Sequence, residues 1–191
     1  RFDEIISMAN RLHEVTAKLE RPRFLASPTV APFTDVDYFG FADRAAWEDK
    51  PLAMARKLGA LDETVEHRRR AVELVNELAA LRTPVEAAPQ LVHGDLASSV
   101  LFAGAAAPGI TDFTPYWRPP TWAAAVVAVD GLSWGGADDG LLMRWGDLPE
   151  WPQMVLRALI FRLAVHAVHP RSEAEALPGL EHIVEIGRWL L

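Results

Sequence analysis

Most of the sequence repeats its apolar residues at helical spacing, but the middle of the chain does not. This change of pattern limits the possible folds. Residues 90–93, 100–102 and 109–113 are three short apolar runs of the kind that predicts β-strands. Gly104 and Pro108 punctuate the connection between the second and third runs, which predicts a hairpin. The sequence therefore predicts a mainly α fold with a small β hairpin insertion (α+β).

The segments on either side are predicted to be helical because their apolar residues recur every three to four positions. Asp62 and Thr121 are predicted N-caps, since short polar side chains satisfy the free N–H groups at helix starts. Two proline-rich segments, residues 22–32 and 114–120, are predicted to be irregular. The predicted helices cover residues 3–20, 42–58, 62–81, 121–134, 152–169 and 173–191.

Composition excludes several classes of function. The 191 residues, half of them hydrophobic, are enough for a single domain with a real core. The absence of cysteine excludes a thiolate zinc site and a cysteine nucleophile, and it suits the reducing cytoplasm, where we expect this protein. A net charge of -7 argues against a nucleic-acid partner. The most apolar stretch, residues 154–168, carries two arginines and is too short to span a bilayer, so no membrane partner is expected.

Two aspartates are placed where a phosphoryl-transfer site would need them. Asp95 follows the first predicted strand, and Asp112 lies near the end of the third, 17 residues later. Phosphoryl transfer from a nucleotide requires a carboxylate that orients and deprotonates the accepting hydroxyl, and further oxygens that hold magnesium on the phosphates. A strand, a tight loop, a return hairpin and a second carboxylate supply these groups in a compact order.

The same segments carry a family resemblance. His93-Gly94-Asp95-Leu96, followed by Val100-Leu101-Phe102 and Ile110-Thr111-Asp112-Phe113, resembles the aminoglycoside phosphotransferase family of the protein-kinase-like superfamily. The first helix, with Ala9-Asn10-Arg11-Leu12-His13, looks like the helix that opens the C-terminal lobe of these enzymes. Pro115-Tyr116-Trp117-Arg118-Pro119 resembles an uncharacterised actinobacterial branch of the family.

The resemblance implies that residues 1–191 form a single C-terminal lobe of the protein-kinase-like fold, with Asp95 as the catalytic base and Asp112 as a magnesium ligand. The family's loop carries an asparagine, also a magnesium ligand, where this sequence has Ser99, so Ser99 is implied as a weaker second ligand. Mg²⁺ and ATP are implied only together with the family's N-terminal nucleotide-binding lobe. That lobe would precede Arg1 and is absent from this chain.

The first functional hypothesis is an ATP- and Mg²⁺-dependent phosphotransferase that acts on the hydroxyl of a small molecule. The alternative is a catalytically inactive, pseudokinase-like module that binds or regulates a protein partner. Ser99 and the absent lobe favour this alternative, and Tyr116, Trp117 and Trp122 would then supply the protein-binding face.

A third hypothesis is a metal-dependent hydrolase in which His93, Asp95 and Asp112 bind zinc or manganese. The competing prediction for His93 is structural, because its position favours packing and holding the loop. Arg118 also has two interpretations: it pairs with a substrate anion or with Asp112, or it stacks on the neighbouring aromatic rings.

Overall fold

The computed structural model of the chain describes residues 1–26 and 37–187, and within them the fold is mainly helical with two small pairs of strands. Residues 27–36, which include the second half of the predicted proline-rich segment 22–32, and residues 188–191 of the last predicted helix lie outside the described residues. The helices are α1 (Phe2–Thr16), α2 (Arg23–Ala26), α3 (Tyr38–Trp47), α4 (Ala53–Lys57), α5 (Glu66–Ala79), α6 (Leu96–Ser99), α7 (Pro120–Ser133), α8 (Gly140–Arg144), α9 (Trp151–Val168) and α10 (Leu177–Gly187). The strands are β1 (Gln90–His93), β2 (Val100–Leu101), β3 (Gly109–Ile110) and β4 (Pro115–Arg118). The predicted mainly α composition with a small β component is confirmed.

Helix α9 is the centre of the core. It packs against α3, α5, α7 and α10, and 15 of its 18 residues are buried. Its apolar residues are spread around the whole circumference, which is the pattern of a helix surrounded by other elements. Helix α7 is buried in the same way, and its run Ala123–Ala125 presents small side chains that permit close helix packing. The sequence predicted this burial for α7 correctly.

Helix α1 anchors the strands to the core. Its buried face includes Ile5, Ile6 and Ala9, and its last two turns contribute polar groups to β1. The hydroxyl of Thr16 donates to the carbonyl of Leu91 at 2.7 Å, and this contact joins the two elements across 75 residues of sequence.

The strands form two antiparallel pairs. Strand β2 pairs with β3, with Val100 opposite Ile110, and this is the predicted hairpin. Strand β1 pairs with β4, with His93 opposite Pro115. The prediction that residues 114–120 are irregular was wrong, because Pro115 occupies the first position of a strand, where proline is tolerated.

Other predicted boundaries also differ. The third predicted strand ends early because Asp112 has φ 47°, a left-handed conformation that a strand cannot continue through. Asp62 is not an N-cap; it accepts hydrogen bonds from Thr64 in the turn that precedes α5. Thr121 is not an N-cap either, because α7 begins one residue earlier, at Pro120, without a side-chain cap; proline is favoured at the first helical position.

Among the described residues, no helix has the combination of length and hydropathy that crossing a bilayer requires.

Candidate functional site

The loop between β1 and β2 is held by a close contact at Gly94. A Cβ atom at this position would lie 2.3 Å from Cδ2 of Tyr116, far inside any normal contact distance. The backbone N–H of Gly94 donates to the carbonyl of Thr114 at 2.9 Å, so the β1–β4 pairing extends into the loop. Glycine is therefore required here by the approach of the Tyr116 ring. Asp95 follows directly and is the N-terminal flanking residue of α6.

His93 holds this loop in place. Its ring is fully buried, and Nδ1 accepts a hydrogen bond from the backbone N–H of Asp95 at 3.1 Å. The His93 ring packs against the Phe113 ring in a T-shaped arrangement, with 5.0 Å between the two centroids. Burial lowers the pKa of His93, although the backbone carbonyl of Thr111 and the carboxylates of Asp95 and Asp112 oppose that decrease. The geometry agrees with the structural interpretation of His93, since Nδ1 is already engaged within the loop.

Both carboxylate oxygens of Asp95 are engaged by groups of the same chain. Oδ1 accepts from Nη2 of Arg162 at 2.8 Å, and Oδ2 accepts from the hydroxyl of Ser98 at 2.5 Å. The Asp95 side chain is 38% exposed, whereas the Arg162 side chain is only 9% exposed. Asp95 thus lies at the surface of the loop and is connected to the core by an arginine of α9.

Arg162 is itself fixed by a second carboxylate, that of Asp130 on α7. Nε and Nη2 of Arg162 donate to the two oxygens of Asp130 at 2.6 and 2.5 Å, which is a bidentate pair. Burial raises the pKa of Asp130, and the adjacent guanidinium opposes that rise. Burial lowers the pKa of Arg162, but the two carboxylates outweigh it and the net direction is upward, so Arg162 stays charged.

Sequence reasoning did not identify Arg162 or the role of Asp130. A signal was present, because Asp130 is the one charged residue of the apolar α7, and Arg162 is one of two arginines in the mainly apolar α9. Such residues are buried only when they are paired. Two buried charges of opposite sign on neighbouring core helices therefore predict each other as partners.

Asp112 lies beside the Asp95 loop because the backbone on each side of it is tied to that loop. Before it, the N–H of Thr111 donates to the carbonyl of Ser99 at 2.8 Å; after it, the carbonyl of Thr114 accepts from Gly94. Asp112 is exposed, and among residues 1–26 and 37–187 no side chain donates a hydrogen bond to its carboxylate. The two aspartates predicted from the sequence are therefore on adjoining turns.

The fit of these residues to magnesium is uneven. Mg²⁺ in phosphoryl-transfer sites is held by one or two carboxylates together with waters and phosphate oxygens, and the exposed carboxylate of Asp112 suits that role. Ser99 suits it less well, because it is only 3% exposed. Within the described part of the chain, no group of three or more His, Cys, Asp or Glu side chains converges as a metal site. The hydrolase hypothesis, which needs His93 as a ligand, gains no support.

Arg118 contacts neither Asp112 nor the rings of Tyr116 and Trp117, which were its predicted partners within the chain. It forms a bidentate pair with Asp43 on α3, with Nε to Oδ1 at 2.7 Å and Nη2 to Oδ2 at 2.5 Å. Its guanidinium lies over the ring of Trp47, 4.9 Å from the centroid, rather than over Tyr116 or Trp117. The prediction failed because the partners lie about 70 residues earlier, on a helix whose position the local sequence does not reveal.

The aromatic residues after Asp112 also differ from the expected exposed face. Trp122 is fully buried and packs edge-on against Tyr116 and Phe161, at centroid distances of 5.3 and 5.4 Å. Tyr116 is half-buried, and burial raises the pKa of its hydroxyl. These rings form the support beneath the Asp95 loop, so Tyr116 and Trp122 are not an open protein-binding surface.

No protein-family model, no curated protein and no solved structure matches the chain.

Proposed function

We propose that the chain is the C-terminal lobe of a kinase-like phosphotransferase that transfers a phosphoryl group from ATP to the hydroxyl of a small molecule. The observation that carries this proposal is the attachment of the Asp112 turn to the Asp95 loop at both ends, through Ser99 and Gly94. That attachment places the two aspartates on adjoining turns, Asp112 exposed and Asp95 partly exposed. The resemblance of the two motifs to aminoglycoside phosphotransferases agrees with the same assignment.

Asp95 would act as the base in this reaction. A general base must lie within hydrogen-bond reach of the proton that it accepts, and the side chain of Asp95 is exposed enough to meet an acceptor hydroxyl. Arg162 fixes the orientation of the carboxylate through Oδ1. The rigid attachment of this arginine to α7 and α9 keeps the base in one position, which limits the entropy lost when substrate is bound.

Asp112 would hold magnesium against the nucleotide phosphates, and Ser99 would be a weaker second ligand. The bound ion would offset the negative charge that develops on the transferred group. Asp112 has an exposed carboxylate without a donor among the described residues, so binding a cation breaks no existing contact in that part of the chain.

Calorimetry on the full-length protein tests this proposal. We expect Mg²⁺-dependent binding of ATP that is lost in Asp112→Asn and retained in Asp147→Asn, which removes an equally exposed carboxylate outside the two motifs. Asp95→Asn should still bind the nucleotide but should release no ADP. If the full-length protein does not bind ATP in the presence of Mg²⁺, the proposed function is wrong.

A second candidate is the inactive binding module, and one observation favours it. Asp95 already accepts a hydrogen bond on each oxygen, from Arg162 and from Ser98, so each oxygen has a partner without any substrate. A module of this kind would retain the fold and bind a protein partner but would not turn over. Restoring Ser99→Asn should strengthen Mg²⁺ binding if position 99 faces the metal. An unchanged affinity would favour the inactive module.

A further inference from the structure

Ser98 occupies a position on Asp95 that an acceptor would need. The Ser98 hydroxyl lies 2.5 Å from Oδ2 and 3.3 Å from the backbone carbonyl of the same aspartate. A hydroxyl has a single proton, and the shorter distance assigns that proton to the carboxylate. The chain therefore presents its own alcohol to the group that would accept a proton from a substrate alcohol.

The two oxygens of Asp95 differ in how easily they can be released. Oδ1 is bound by Arg162, a buried cation that is locked to Asp130 by two further hydrogen bonds. Oδ2 is bound by Ser98, an exposed residue whose hydroxyl moves away by rotation about one side-chain bond. An incoming hydroxyl would thus displace Ser98 far more readily than Arg162.

We propose that Ser98 is an intramolecular competitor for the acceptor hydroxyl at Asp95. The inference rests on the proposed function, because it requires Asp95 to be the base. An acceptor binds productively only after the Ser98 hydroxyl has turned away, and the lost hydrogen bond to a charged carboxylate lowers the rate. Removing the hydroxyl should therefore accelerate transfer by about 2- to 13-fold, the range that corresponds to one hydrogen bond of ordinary strength.

The first experiment uses water as the acceptor and follows ADP release by the full-length protein at saturating Mg²⁺ and ATP. Ser98→Ala should release ADP faster than the wild type at an unchanged KM for ATP, since Ser98 contacts the base and not the nucleotide. Ser98→Thr retains the hydroxyl and should restore the wild-type rate. The matched control is Thr64→Val, which removes an exposed hydroxyl at the same distance, 2.5 Å, from the carboxylate of Asp62 in the turn that precedes α5.

The second experiment needs no nucleotide. In the ¹³C NMR spectrum, the side-chain carboxyl signal of Asp95 should move on Ser98→Ala and remain unchanged on Thr64→Val. If it does not move, the hydrogen bond is absent in solution and the competitor inference is wrong, whatever the protein catalyses.

The two experiments separate the inference from the function on which it rests. Equal ADP release by the wild type and Ser98→Ala, with loss of release in Asp95→Asn, overturns the competitor role and leaves the phosphotransferase proposal intact. Failure of every variant to bind ATP overturns both. Faster release by Ser98→Ala together with the carboxyl shift supports both.

Discussion

Replacing Arg162 with methionine should destabilise the protein strongly, because it leaves the Asp130 carboxylate buried without its partner. Methionine has nearly the length of the arginine stem and fills most of the same space, so the main loss is electrostatic. Both side chains of the pair are only 9% exposed, and solvent therefore cannot replace the guanidinium. Removing one member of a buried ion pair costs about 3–5 kcal/mol in free energy of unfolding.

The double variant Asp130→Leu with Arg162→Met separates charge from packing. Two apolar side chains of similar volume remove the unpaired charge, and such replacements cost little or are even stabilising. Asp95 also loses its partner in both variants, but its side chain is 38% exposed and water can hydrate it. We therefore expect the double variant to recover most of the stability that the single variant loses.

The pH dependence of the single variant provides a further check. Burial raises the pKa of Asp130 in the folded protein, and removing Arg162 removes the group that opposes that rise. A carboxyl whose folded pKa exceeds its unfolded value of about 3.9 destabilises the fold increasingly as pH rises above that value. The cost of Arg162→Met should therefore be small near pH 4 and should grow as the pH rises towards 7.5.

Urea denaturation followed by tryptophan fluorescence measures these free energies, and thermal melting should show a decrease of about 10 °C at pH 7.5 for the single variant. The stability of Arg162→Lys, which keeps the charge but loses the bidentate geometry, should lie between those of the wild type and Arg162→Met. A single variant within about 1 kcal/mol of the wild type, or a double variant no more stable than the single one, would refute the buried-pair argument.

Two further predictions concern stability. Gly94→Ala should destabilise the protein by about 1–3 kcal/mol in urea denaturation because the added methyl group must displace the Tyr116 ring, whereas Gly109→Ala, with open space at its Cβ position, should have little effect. Burial lowers the pKa values of His13 and His166 to about 4, so the fold favours their neutral forms. The stability that comes from the neutral form is fully present above the unfolded pKa near 6.5 and is lost as pH falls towards 4. Each histidine should therefore lower the free energy of unfolding by about 2 kcal/mol at pH 5 relative to pH 7.5. His13→Gln should flatten that dependence between pH 5 and 7.5, and an unchanged slope would contradict it.

The sequence predicted the parts of the fold that local patterns encode. Helical spacing located the main helices, and the turn residues Gly104 and Pro108 located the β2–β3 hairpin. Strand β4 was missed because its partner, β1, lies about 25 residues earlier, and pairing at that distance overrides the local preference of a proline-rich segment. Asp112 was placed in a strand because its left-handed backbone depends on hydrogen bonds to the Asp95 loop.

The candidate site shows the same division. Asp95 and Asp112 could be found because each follows a recognisable strand signal, and they do lie on adjoining turns. The arginine that holds Asp95 could not be placed by any local rule, because Arg162 is 67 residues away on a different helix. Sequence patterns thus located the two candidate aspartates, whereas the side chain that orients Asp95 depends on how α7 and α9 pack.

The dependence of Asp95 on Arg162 also bears on whether the site is active. Arg162 remains charged and buried, so the orientation of Asp95 through Oδ1 is set by the core and is independent of substrate. Neither the phosphotransferase nor the inactive module requires a change in that contact. Around Asp95, the two functions differ at Oδ2, to which Ser98 donates, and at Ser99, the weaker candidate ligand for magnesium. Substitutions at these two adjacent serines should therefore alter phosphoryl transfer if the full-length protein binds ATP, and should have no such effect in an inactive module.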